Sequence, residues 1–427
     1  NCLKNITPDS FSGLVFAMEG IDNTVVLING PTGCKFYHSA ISDSQSIHQY
    51  EFDPLNFPEK FYFGQPRVPF TWLDSKDYVY GSMDKLTEAL DFLCSNVSFE
   101  LLAIINSPGA SLIGDNLKDI VRRRVKEKKC VIIETPGFSQ NLCAGYETAS
   151  IEIMKQLCIS ESKGKTSKVN ILGLSIFHKN YRGDIKEIER LFKMCNIEIN
   201  CFLCSGCSVQ SIEKIPEACL NIVLNPEYGC ETAYFLKETY GTPCYVCNGP
   251  PIGFEATEKF IKDVCNIINR DYSLFMEESG KARADAYSSI SRVNSLTGLP
   301  KGVNFSIEGY FSEIYSYTSF LVKYFGMILE SASVLDEERD VYKDSTINLL
   351  KELNFEGALK MDILDTESEL VFANGNTIAQ LKLEGKAFSG IEISLPSLGY
   401  IDVIPKTQLG LKGALMITEQ VLNGLMF

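Results

Sequence analysis

Short β-branched apolar runs that alternate with amphipathic stretches constrain this chain more than any other feature. Thr24–Asn29 (TVVLIN), Leu101–Asn106 (LLAIIN), Cys130–Glu134 (CVIIE), Val169–Leu174, Ile197–Leu203 and Asn221–Leu224 are near-continuously apolar. A strand without alternation is buried on both faces, as parallel strands under helices are. The stretches between them, among them Lys85–Cys94, Asp115–Glu127, Gly183–Met194 and Glu231–Tyr240, carry apolar residues at helical spacing. Strand and helix in alternation give βαβ units, so the expected fold class is α/β, with parallel sheets flanked by helices. The pattern returns late in the chain as Val303–Glu308, a helix over Tyr310–Phe325, Met327–Ser333, Glu369–Ala373, Ile391–Leu395 and a final helix over Leu409–Leu425.

Two breaks divide this series. Ser160–Lys168 (SESKGKTSK) is polar and without periodicity, and a second break near Ile268–Asp271 precedes a charged helix over Glu277–Arg292. The expected organisation is three Rossmann-like domains, 1–165, 166–270 and 271–427. No unit opens its helix with G-x-G-x-x-G, and no complete P-loop is present, which removes the usual support for NAD or nucleotide binding. A formal charge of −14 argues against nucleic acid as a partner. No apolar run reaches the ~18–20 residues of a membrane span, and the start, Asn1-Cys2-Leu3-Lys4, has no charged-then-apolar leader pattern.

Fifteen cysteines in such a chain are many, whereas the histidines are only His38, His48 and His178. Long helical and strand patterns do not suit a disulfide scaffold, so a reducing cytoplasm with some thiols on metal is expected. In Asn29-Gly30-Pro31-Thr32-Gly33-Cys34 the glycines permit a sharp turn after a buried strand. Cys34 then falls at a helix start, where backbone N–H groups favour the thiolate that binds iron. A buried structural cysteine is the plainer alternative. Cys201-x-x-Cys204-x-x-Cys207 leaves a strand at the carboxyl end of a sheet, where α/β folds place ligands, and this spacing serves ferredoxin clusters. Cys244-x-x-Cys247 follows another strand-like segment. These thiols could equally build a zinc site or fill core as small hydrophobes. Cys94, Cys130, Cys158, Cys195, Cys219 and Cys265 are expected in the core, as is the single tryptophan, Trp72. Phe52–Phe70 reads as a packed irregular loop and Arg122–Arg124 as a solvated helix face.

Four segments, in order, carry a family resemblance. The first is Cys2 with Gly30-Pro31-Thr32-Gly33-Cys34. The second is Tyr80-Gly81-Ser82 with Ser107-Pro108-Gly109 and Ile113-Gly114-Asp115. The third is Pro136–Gln140 with Gly145-Tyr146, and the fourth is Leu220–Pro243 with Gly410–Ala414. Together they resemble nitrogenase component 1 and its relatives, which include cofactor-assembly scaffolds and dark-operative protochlorophyllide reductase. The resemblance implies that Cys2 and Cys34 hold a [4Fe–4S] cluster at a subunit interface. The family's third interface cysteine is missing, since the matching stretch reads Asn106–Ser111. Two cysteines per chain then suggest a homodimer sharing one four-thiolate cluster, with a heterodimer of related subunits as the alternative. The family's cofactor-binding Cys and His correspond to Asn225 and about Tyr400, and an assisting His to Ala144, while Gln140 is retained.

These departures imply an oxidoreductase subunit that does not reduce dinitrogen and is fed by an iron-protein-type ATPase reductase. Gln140 and Asn225 are expected to line its cavity. A second iron–sulfur or other metal cluster is expected between the domains, with Cys204, Cys207 and Cys201 as ligands and Cys143, Cys230, Cys244 and Cys247 as further candidates. No catalytic residue is assigned. A non-catalytic scaffold for assembling or transferring a metallocluster is the alternative, and a thiol- or zinc-bearing interaction protein a third reading.

Overall fold

A computed structural model of the chain describes residues 8–34, 68–125, 128–134, 140–157, 164–397 and 403–426. The described residues form three sheets, parallel throughout. In the first, β1 (Thr24–Asn29), β2 (Leu101–Asn106) and β3 (Lys129–Glu134) pair in that order and in register from end to end. Every residue of β2, the central strand, is buried, as its uninterrupted apolar sequence requires.

The second sheet contains β4 (Val169–Leu172), β5 (Ile199–Phe202), β6 (Leu220–Val223) and β7 (Cys244–Val246), in the order β5-β4-β6-β7. The third contains β8 (Asn304–Gly309), β9 (Ile328–Val334), β10 (Leu370–Asn374) and β11 (Ser389–Ser394), in the order β11-β10-β8-β9. Both orders reverse direction between the first strand of the sheet and the third. The loops leaving those two strands diverge to opposite faces, which opens a crevice at their carboxyl ends.

Helices cover the sheets as the periodicity anticipates, with displaced ends. The expected helix over Glu231–Tyr240 begins earlier, at Pro226, because proline lacks the N–H that a first helical turn leaves unpaired anyway. That over Asp115–Glu127 shortens to Leu117–Arg124, capped by Asn116, whose side chain accepts from Asp119 N–H. The charged helix lengthens to Ser273–Thr297 and packs on both Phe254–Ile268 and the final helix, Gly410–Met426. One buried core consequently runs through the second and third sheets together. Among the described residues no helix is long and apolar enough to cross a membrane.

Two helices approach so closely that only glycine fits. A Cβ on Gly13 in helix Ser10–Glu19 would stand 2.1 Å from Leu142 O, and one on Gly145 in helix Leu142–Leu157 would stand 1.9 Å from Ser10 O. This contact accounts for the glycine of the Gly145-Tyr146 motif. It fixes Asp9 and Gln140, at the helix starts, side by side, with Ser10 N–H donating to Gln140 O at 3.0 Å.

Candidate functional site

Cys34 lies at a helix start after the turn that leaves β1, and a polar network holds that turn. Asn29 Nδ2 donates to Asn106 Oδ1 at 2.8 Å and Thr71 Oγ1 donates to Asn29 Oδ1 at 2.8 Å. Gly30 N–H donates to Thr71 Oγ1 at 3.0 Å. Asp115 accepts from Ser82 at its backbone N–H (2.6 Å) and its hydroxyl (2.8 Å). Glycine at position 30 lets the loop lie against β2's exit, since a Cβ there would meet Ser107 Oγ at 2.7 Å. The separated motifs around Gly30, Ser82, Ser107 and Asp115 are thus parts of one cradle.

The Cys34 thiol is half-buried. Burial pushes its pKa up, the Ser107 hydroxyl bonding to it opposes that rise, and the charge of Asp9 adds to it. A metal binding there must therefore displace a proton. Among the described residues a Cβ on Gly33 would meet nothing within 4 Å, and a half-buried thiol beside a glycine turn fits a cluster ligand. Cys2 lies outside the described residues. Trp72 is not in the core: it is 66% exposed and stacks on Phe70, because its backbone turns with φ 56° as the chain leaves the β1 edge. Tyr80 (87%) and Leu112 (89%), on the segments flanking the loop, are also exposed.

A cavity of about 670 Å³ lies at the carboxyl ends of the second and third sheets, the crevices that their strand orders create. Asn225, after β6, and Gln140 are on its wall. Asn225 Nδ2 donates to Gly173 O at 2.6 Å, tying the β4 and β6 exits together. Tyr400 lies outside the described residues. Sequence reasoning passed over the rest of the wall: His178, Lys179, Asp184, Glu308 and Glu313. They stand on two stretches of chain, 178–184 and 308–313, with no local motif, and only the meeting of two sheets assembles them. His178 Nδ1 accepts from Ser175 N–H at 2.8 Å, which places its proton on Nε2. Burial pushes its pKa down to about 4, so the ring is neutral at pH 7. Burial pushes Asp184 and Glu313 up to about 7.

The remaining cysteines are not on this wall. Cys201, Cys204 and Cys207 lie together but in the core, and burial raises the first two thiols well above their ordinary range. Cys207 Sγ accepts from Cys204 N–H at 3.3 Å, and Ser150 and Ser211 hydroxyls reach Cys204 and Cys201. Gly20 seals the loop from above: a Cβ there would stand 1.8 Å from Cys204 O. The three thiols are thus grouped inside the core and apart from the residues that line the cavity. Cys143 is fully buried behind the wall residues Tyr228 and Tyr310, whose hydroxyls are 3.3 Å apart. Cys230 is partly buried on helix Pro226–Tyr240. Cys244 opens edge strand β7 instead of following a strand. It is exposed while Cys247 is buried, since residues three apart on an extended chain face opposite ways. Among the described residues no group of three or more His, Cys, Asp and Glu side chains is placed to hold a metal ion.

Comparison with known proteins places these features in context. Residues 10–426 match the family Nitrogenase component 1 type Oxidoreductase. A light-independent protochlorophyllide reductase chain of Trichormus variabilis is 28% identical over 201 residues, covering 44% of this chain and 39% of that one. Its counterpart in Prochlorococcus marinus is 24% identical over 243 residues, covering 55% and 46%. The matched region thus spans less than half the length of these relatives. In fold, the chain superposes on the solved structure of nitrogenase Cp1 at pH 6.5 with a TM-score of 0.77 at 17% identity, covering 98% of this chain and 92% of the other.

Proposed function

Because the chain belongs to the nitrogenase component 1 type oxidoreductase family, we propose that it is an iron–sulfur oxidoreductase subunit fed by an ATP-dependent reductase of the iron-protein type. The observation that carries this reading is the Cys34 region: one half-buried thiol after a hydrogen-bonded turn, with exposed Trp72, Tyr80 and Leu112 on neighbouring segments. Exposed apolar side chains grouped around a potential ligand suit a face that meets another chain. A [4Fe–4S] cluster bound there would supply one-electron transfer. In this reading Cys34, with Cys2 as its candidate companion, holds that cluster against a second copy of the chain or a related subunit.

The chain's own residues do the rest. Asp9 lies between the two regions, since its charge acts on the Cys34 thiol and its side of the helix start forms part of the cavity wall. Asn225 and Gln140 offer amide groups to a bound molecule, and Tyr228 and Tyr310 line the cavity beside it. Asp184 and Glu313, with pKa values near 7, can hold or release a proton at neutral pH. In sequence, Asn225 and about Tyr400 correspond to the cofactor ligands of dinitrogen-reducing relatives, so in this reading the molecule reduced is not dinitrogen.

The test is to mix the anaerobically purified protein with an iron-protein-type ATPase reductase and follow the electron paramagnetic resonance spectrum. A reduced-cluster signal that requires ATP hydrolysis is expected. A signal that never appears, in protein shown to contain iron, would remove the electron-accepting role.

A further inference from the structure

The cavity wall has an unbalanced charge. Asp9, Asp184, Glu308, Glu313, Asp336 and Glu338 contribute carboxyl groups to it. Among the described lining residues Lys179 is the one lysine or arginine, and it is already committed: Nζ pairs with Glu392 Oε2 at 3.0 Å, with both side chains nearly buried. His178 adds no positive charge at neutral pH.

The described partners that these carboxyls bond to are neutral donors, not cations. Asp184 Oδ1 accepts from the Thr407 hydroxyl at 2.7 Å and from Gln408 N–H at 2.9 Å, and Asp9 Oδ1 accepts from Ser12 N–H at 3.1 Å. Glu313 Oε2 accepts from Tyr310 N–H at 2.9 Å and Asp336 Oδ1 from Glu338 N–H at 3.0 Å. Charge of one sign inside a partly enclosed, low-dielectric cleft concentrates its field on whatever enters. An anion there meets carboxyl groups from several stretches of chain, whereas a cation meets the same carboxyls with the aromatic side chains of Phe177, Tyr228 and Tyr310 on the wall, residues of the kind that attract positive charge.

We propose that the cavity takes a small organic cation, an alkylated ammonium or a group of like charge and shape, and discriminates against carboxylated and phosphorylated molecules. This substrate class belongs to the reaction site under Proposed function and rests on reading the cavity as that site. The raised pKa values of Asp184 and Glu313 agree with it, because a bound cation offsets the cost of ionising them.

Titration calorimetry on the anaerobically purified full chain tests it, with benzyltrimethylammonium as the cation and phenylacetate as an anion of similar size. One equivalent of the cation per chain is expected, bound at least about tenfold more tightly than phenylacetate, a gap of about 1.4 kcal/mol. The double variant Asp336→Asn, Glu338→Gln should weaken cation binding about threefold or more while its melting temperature stays close to that of the parent. Phenylacetate binding as tightly as the cation, no cation binding, or a double variant with undiminished cation affinity would each overturn the proposal. The readout involves no electron transfer. Iron-bearing protein that fails to bind the cation overturns this inference alone, and iron-free protein that binds it overturns only the proposed function.

Discussion

Replacing Cys34 by Ala is expected to abolish the iron–sulfur signal of the anaerobically purified protein and leave its fold in place. The two effects separate because the thiol is half-buried at an edge. Deleting one sulfur there leaves no sealed core cavity, so the stability cost is expected to stay near or below about 1 kcal/mol. The loop itself is held by Asn29, Thr71, Asn106 and Gly30, not by Cys34. Ser107, the neighbouring group with a lone pair to offer, is a far weaker iron ligand than a thiolate. Iron content, the visible absorbance of the cluster and far-ultraviolet circular dichroism read both effects together. Unchanged iron with an unchanged spectrum would remove Cys34 from the site.

The second large effect is on stability and its pH dependence. Asp184 joins parts of the chain more than 220 residues apart, accepting from the Thr407 hydroxyl and the N–H groups of Gln408 and Leu409. The joint is tight, since a Cβ on Gly183 would stand 1.7 Å from Lys406 O. Asp184→Ala leaves these buried donors without an acceptor, at about 1–3 kcal/mol for each unsatisfied group. A loss of about 3 kcal/mol or more is expected in urea denaturation at pH 7. Asp184→Asn keeps an acceptor oxygen and should retain most of that stability.

The sign of the pH effect follows from the direction of the shift. Burial, with the charge of Glu187 adding to it, raises the Asp184 pKa from 3.8 to about 7 in the folded chain. The folded state therefore holds this proton more tightly than the unfolded state between those values. The contribution is full below about pH 4 and is lost as pH rises through about 7. The parent should thus lose stability from this group between pH 5 and pH 8, by an amount on the order of a few kcal/mol. Asp184→Asn, which has no proton to lose, should show a smaller difference between the two pH values. An equal difference in parent and variant would mean that Asp184 is not the group that titrates.

Much of the fold was legible because its signals are local. The β1 and β2 runs match the observed strands to the residue, since short apolar runs bounded by polar residues leave little freedom. Helix ends were less legible: Pro226 looks like a breaker in isolation and is a first-turn residue in context. Cys34 could be found from a strand followed by a glycine-bounded turn, which is again local information. Trp72 could not be placed, because its exposure follows from a backbone turn at the edge of a domain. The Cys201–Cys207 loop carried a ligand-like spacing, but spacing does not show whether a loop opens to a cavity or lies under another helix. Here Gly20 covers it. The cavity wall was least legible of all, since Asp184, Glu313 and Asp336 meet only through tertiary packing.

Iron and acid-labile sulfide per chain, measured on anaerobically purified and reconstituted protein, test the cluster at Cys34 most directly. About two irons and two sulfides per chain are predicted, the content of one four-iron cluster shared by two copies through Cys34 and its companion ligands. Protein that retains neither iron nor sulfide after reconstitution would contradict the cluster, and with it the redox function built on this edge of the fold.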